Sequence, residues 1–221
     1  MLEKLTTPDK IIRCKRKSIS LIISNNGEFI VRAPFSATDE RIFNFINEKS
    51  SWIISKRKEF ISNSKKVLEI KNGEQISILG EKYNIILIKN GRVKTINNQI
   101  LLPCEKSKEK LINYIKKQLK SYLTTRVAEL AKICRYSYDS VSVSSAKTNW
   151  GSCSFNNKLH FTYRLVLCPL VVIDYIIVHE LTHTQIKNHS KKFWSAVEKT
   201  MPSYKQAETW LKQNKQVINI I

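Results

Sequence analysis

The chain has 221 residues, 42% hydrophobic and 25% charged, close to the globular average, which excludes wholesale disorder. Its 38 Lys and Arg against 18 Asp and Glu give a formal net charge of +20, enough to steer polyanions but silent about fold and chemistry. The best apolar run, Leu165 to Val178, is shorter than the roughly 20 residues of a membrane span and contains Pro169 and Asp174, so no transmembrane helix and no membrane partner are expected.

The start, Met1-Leu2-Glu3-Lys4, has no apolar signal-peptide core. Five cysteines (Cys14, Cys104, Cys134, Cys153, Cys168) are scattered without a CxxC pair. That suits free thiols in a reducing cytoplasm better than a disulfide framework. The basic excess is spread: residues 1–104 carry 19 basic and 10 acidic groups, and residues 105–221 carry 19 and 8. A lysine-rich solvated surface is the plainer reading, and a nucleic-acid partner the sharper one.

Three of the five glycines follow asparagine, at Asn26-Gly27, Asn72-Gly73 and Asn90-Gly91. Asn-Gly supplies the positive backbone dihedrals of tight hairpin turns. Strands are therefore predicted at 18–24 and 28–33, and again at 83–88 and 93–102. Gly80 predicts a further hairpin between 75–79 and 83–88. A helix is predicted over 38–62, with Asp39-Glu40 complementing its dipole and Ile42, Phe45, Ile46, Ile53 and Ile54 at helical spacing. Residues 1–104 read as an N-terminal antiparallel β-rich region with one helix, ended by Pro103.

From Glu105 to Arg135 a long amphipathic helix is predicted, its stripe of Ile112, Ile115, Leu119, Leu123, Val127, Leu130 and Cys134 packing on a core. Short strands follow near 140–144 and 159–166. A helix over 170–187 starts after Pro169, a residue suited to a first helical turn. Shorter helices are expected at 191–200 and 204–213. The class is α+β, and the second domain, 105–221, holds the informative residues.

Within that helix stands His179-Glu180-Leu181-Thr182-His183, an HExxH motif. Spacing of four puts both imidazoles on one helical face, where they can share a zinc ion. Glu180 lies beside the metal, placed to take a proton from water there. The preceding Val171 to Val178 is nearly all apolar, so the helix carries charged groups into an interior where a metal compensates their burial.

For a third ligand His189 is favoured over Glu198, because neutral imidazoles are common zinc ligands. Lys187-Asn188 is expected to end the helix, Asn adopting a left-handed conformation so that His189 swings back. His160, on a strand, reads as a satisfied or exposed histidine. Cys153 reads as a small buried residue in a tight turn rather than a nucleophile. Three ligands with an open fourth position suit a catalytic site rather than a closed structural one.

The segments Trp150-Gly151-Ser152-Cys153-Ser154, Tyr163 to Leu167, Val172 to Tyr175, the HExxH, Asn188 to Trp194, Met201 to Lys205 and Trp210-Leu211 together resemble the YgjP-like metallopeptidases, relatives of the SprT-like zincins. The resemblance is dense from Lys147 to Asn214 and looser before it. It implies a zincin-like helical metallopeptidase region with short strands, His179, His183 and His189 as zinc ligands, and Glu180 as general base. Asn149 departs from the family pattern, which usually has Arg there.

The expected function is zinc-dependent peptide hydrolysis on a peptide or protein substrate, with proteins bound to nucleic acid as one class of target. The strand holding Phe161-Thr162-Tyr163 is expected to pair with an extended peptide. Two alternatives are a metal-dependent hydrolase of phosphoanhydrides and a nucleic-acid-binding module with a residual metal site. The first lacks a Gly-rich phosphate loop, and the second has no use for Glu180.

Overall fold

The computed structural model describes residues 6–24, 27–64, 68–214 and 217. Its contacts gather into two compact units, Met1–Lys66 and Val67–Ile221. Strands between 75 and 103 thus group with the C-terminal residues, whereas the sequence reading sets its boundary at 104.

In the first unit β2 (Ser20–Ile23) and β3 (Phe29–Pro34) form the expected antiparallel hairpin. Asn26 lies outside the described residues; Gly27 has φ +85°, and the Ser24 N–H donates to Glu28 O across the turn at 2.9 Å. The sheet is mixed rather than antiparallel, because β1 (Lys10–Cys14) runs parallel to β3 along its other side. The single predicted helix is two, α1 (Asp39–Glu48) and α2 (Ser50–Ser64). Lys49, at φ −102° and ψ 12°, breaks them just before Ser50. Thr38 caps α1 by accepting from the Arg41 N–H at 3.3 Å. Phe29, Val31, Ala33, Ala37, Ile42, Ile46 and Ile53 form the core of this unit.

The second unit opens with β4 (Gln75–Ile78) and β5 (Glu81–Ile88), an antiparallel hairpin turning at Leu79 and Gly80, φ +51° and +86°. No hairpin forms at Asn90-Gly91. Instead β5 runs parallel to β7 (Gln99–Pro103), and β6 (Lys94–Ile96) pairs antiparallel with the far side of β7. The tight turn falls at Asn97-Asn98, both left-handed at φ +46° and +58°, which is what a two-residue hairpin turn demands. Next comes α3 (Ser107–Cys134), burying Leu111, Ile115, Leu119, Leu123, Val127, Leu130 and Ala131.

A second sheet has the order β8-β10-β9: β8 (Ser140–Ser144) parallel to β10 (Lys158–Thr162), and β9 (Gly151–Cys153) antiparallel to it. The strand predicted to reach 166 stops at Thr162, and Tyr163–Leu167 winds into a 3-10 turn. Three helices complete the unit: α4 (Leu170–Thr182), α5 (Lys191–Thr200) and α6 (Tyr204–Gln213). The class is α+β, as expected. All five cysteines are free, and among the described residues no helix is long and apolar enough to cross a membrane.

Candidate metal centre

Helix α4 starts where Pro169 O accepts from the N–H groups of Val172 and Ile173, at 2.9 and 3.1 Å. Arg126 of α3 grips Asp174 of α4 with two parallel bonds, Nε to Oδ1 at 2.8 Å and Nη2 to Oδ2 at 2.7 Å. These charge-assisted bonds raise the Arg126 pKa and fix the helix that carries the motif. The helix ends at Thr182, earlier than predicted. Its threonine hydroxyls bond backwards, Thr182 Oγ1 to Val178 O and Thr184 Oγ1 to Leu181 O, both at 2.8 Å. Nor is Asn188 left-handed; its Oδ1 accepts from the Ser190 N–H at 3.2 Å, and this Asx turn reverses the chain at His189.

The reversal brings three imidazoles together. His189 Nε2 lies 3.0 Å from His179 Nε2 and 3.2 Å from His183 Nε2. The group's ligand atoms all fall within 4.8 Å of one another. Nitrogens bound tetrahedrally to zinc at about 2.0–2.1 Å sit about 3.3 Å apart, so the set fits that ion. His183 Nδ1–H donates to Ile186 O at 3.0 Å, which leaves its Nε2 with a free lone pair. Burial, then the neighbouring His183 and His189, push His179 down to about 3. Burial also lowers His183. Both rings are therefore neutral near pH 7, the form that binds metal. Among the described residues His179 Nδ1 is buried without a hydrogen-bond partner, so packing helps to orient that ring.

Phe193, fully buried on α5, supplies much of that packing. Its ring centroid lies 4.9, 4.5 and 4.8 Å from those of His179, His183 and His189. Trp194 adds contacts at 5.8 Å to His179 and 5.7 Å to His189, and itself stacks on Tyr204 at 5.7 Å. The sequence signal for these residues is the Phe193-Trp194 pair at the start of an amphipathic helix. Glu198, on the same helix, is exposed and stands outside the histidine group.

Glu180 is 5% exposed, and burial pushes its pKa up to about 7. Its carboxyl lies against β9, a strand not predicted from sequence. Cys153 at the end of β9 has its pKa raised by burial, against the opposing pull of Lys187, so it is no activated thiolate. Lys187, expected from sequence only to end the helix, donates from Nζ to Ser154 O at 3.1 Å and Asn157 Oδ1 at 2.7 Å, latching the turn after α4 to the β9–β10 loop. His160 is satisfied by Ser142 Oγ at 2.6 Å from its Nδ1, away from the triad. Asn149 donates from Nδ2 to Gly151 O at 3.1 Å.

The strand expected to pair with an extended peptide is corrected. The segment with Phe161 is β10, central in its sheet and already bonded on both sides. The edge strands are β8 and β9, and β9 is the one beside Glu180. Gly151 faces Phe161, and Trp150 O accepts from the Thr162 N–H at 3.0 Å. In that register Gly151 and Cys153 turn their N–H and C=O groups away from β10, towards the open side.

A family model described as the YgjP-like metallopeptidase domain matches residues 17–214. Among solved structures, the metallopeptidase zymogen abylysin of Pyrococcus abyssi is similar, with 21% identity, TM-score 0.39, and coverage of 42% of this chain and 95% of that one. A likeness that distant carries no weight for the fold or the site. No curated protein matches the chain.

Proposed function

The chain belongs to the YgjP-like metallopeptidase family, and from that premise we propose that it is a zinc-dependent peptidase with His179, His183 and His189 as ligands and Glu180 as general base. The observation that carries this reading is the convergence, within 4.8 Å of one another, of imidazole nitrogens from His179 on α4, His183 at its C-terminal cap and His189 beyond it, with Glu180 buried on the same helix as His179. A bound zinc ion supplies Lewis acidity, which polarises the scissile carbonyl and acidifies water.

The remaining work falls to the chain itself. Glu180 Oε atoms take the proton from the attacking water and hand it to the leaving amine. A carboxyl raised towards neutrality by burial suits both tasks, since proton transfer is most effective when the pKa lies near the working pH. Phe193 and Trp194 wall the histidines from one side. The outward-facing N–H of Gly151 and the N–H and C=O of Cys153 offer an extended peptide a strand to join, holding its backbone alongside Glu180. The +20 charge supports targets among proteins bound to polyanions.

Glu180→Gln tests the reading. The amide keeps the shape but accepts no proton, so zinc content is expected to stay while hydrolysis of a casein-like substrate falls by about 10² to 10⁴. Wild-type turnover in a zinc-loaded variant would overturn the assignment.

A further inference from the structure

Four of the five glycines sit at positive φ, where turns require them. Gly151 does not, so conformational freedom is no reason for glycine there. The reason is space. A Cβ at Gly151 would lie 2.8 Å from Glu180 Cγ, 2.9 Å from Oε1 and 3.1 Å from Cδ. Two of these separations are closer than non-bonded heavy atoms pack, and the neighbour is the carboxyl of the candidate base rather than a slack surface side chain.

Neither side of this contact is free to yield. Glu180 stands on α4, whose flanking Val178 and Leu181 are buried and whose Asp174 is gripped by Arg126. On the other side the Gly151 backbone is fixed three times over. It is in register with Phe161, the preceding Trp150 O accepts from Thr162 N–H at 3.0 Å, and its own carbonyl accepts from Asn149 Nδ2 at 3.1 Å. The approach to the strand is held as well: Ala146 O accepts from Thr162 Oγ1 at 2.7 Å and from the buried Arg164 Nη1 at 3.3 Å.

We infer that Gly151 is the positioning residue of the general base: the bare backbone of β9 is the wall that fixes where the Glu180 carboxyl stands. The same strand turns the Gly151 N–H and the Cys153 N–H and C=O away from β10, so one element sets both the carboxyl and the line along which a peptide would lie. The inference rests on the reading of Glu180 as general base and deepens it. Asn149 gains a role too, holding the Gly151 peptide from its open side.

The test places Gly151→Ala in two backgrounds, wild type and Glu180→Asp, with zinc content measured in each. In the wild-type background kcat is expected to fall about 10²-fold, the loss that a displacement on the order of 1 Å produces, with KM and zinc content kept. In Glu180→Asp the shortened side chain vacates the space, and the same alanine is expected to cost less than about threefold. An unchanged kcat in Gly151→Ala, or equal losses in both backgrounds, overturns the inference.

A urea-midpoint cycle over Gly151→Ala and Glu180→Ala reads the contact without turnover. A destabilisation by Gly151→Ala that vanishes beside Glu180→Ala supports the contact, and one that persists overturns it. Should Gly151→Ala alone fail to fold, the double variant is expected to fold and bind zinc; its failure also overturns the inference. Full turnover in zinc-loaded Glu180→Gln instead defeats the general-base reading itself, a result separable from any outcome at Gly151.

Discussion

The two units bury polar chemistry very differently. In the first, the core among the described residues is seven residues, all apolar. In the second, thirty buried apolar residues among those described surround Thr162, Arg164, Glu180, Thr182 and Thr184. Every fully buried polar residue among those described thus falls between 162 and 184. Burying a polar group costs about 1–3 kcal/mol unless it is hydrogen-bonded. The threonines meet that condition by bonding backbone carbonyls, and Arg164 Nη1 donates to those of Ser145 and Ala146. Glu180 meets the cost by staying protonated towards neutral pH, and the three histidines converge where an ion would satisfy them. The lesson is that the larger core is the one able to carry a destabilised functional site, and the small unit shows what the same chain builds without that demand.

The comparison breaks or sharpens most visibly at one large apolar residue in each core. Phe193→Ala is expected to cost about 3–5 kcal/mol, as a large buried ring does. It should also weaken zinc binding, since that ring touches all three histidines. Ile42→Ala, in the core of the first unit, is expected to cost about 2–5 kcal/mol and leave zinc affinity unchanged. Urea denaturation paired with chelator competition reads both. Equal losses of zinc affinity would erase the distinction between a core that supports a site and one that does not.

Next in size is the ligand set. His189→Ala is expected to weaken zinc by well over the 10–100-fold typical of a change outside the ligands, while Glu198→Gln acts at most within that range. A competition titration against a zinc chelator at one pH separates the two. Release of metal by Glu198→Gln with retention by His189→Ala would make this an acid-ligand site.

The smallest effect is a pH slope in the metal-free protein. Burial raises Glu180 from 4.5 to about 7 on folding. Its protonated form therefore contributes stability that is fully present below about 4.5 and lost as pH rises through about 7. In Glu180→Gln that component should vanish. The wild type should then lose more denaturation midpoint than the variant between pH 5 and pH 8; identical slopes would mean that Glu180 is not held protonated by its surroundings.

Much of this was legible beforehand, for identifiable reasons. The HExxH face follows from helical periodicity alone, since residues four apart share a side of any α-helix. The α3 stripe and the helices at 191–200 and 204–213 follow from the same period, and the Gly80 hairpin from positive φ. What failed was pairing. Asn90-Gly91 carries a hairpin sequence, yet β5 found its partner in β7, because strand order is settled by which apolar faces meet and not by the turn nearest in sequence. The three-residue β9 escaped notice because Gly-Ser-Cys has no strand propensity to speak of; only its ladder to β10 makes it a strand.

By itself, then, the sequence determined the class of chemistry. Two histidines and a glutamate at fixed helical spacing, on an apolar helix, leave few other uses, and that logic is local. Tertiary structure decided the rest, because it depends on distances between segments far apart in the chain. His189 rather than Glu198 reaches the other imidazoles because Asn188 and Ser190 form an Asx turn while Val197 and Phe193 direct α5 into the core, leaving Glu198 outside. Likewise the place of Gly151 against Glu180 exists only once β9 is laddered to β10 and α4 is packed, and no spacing rule along the chain encodes it.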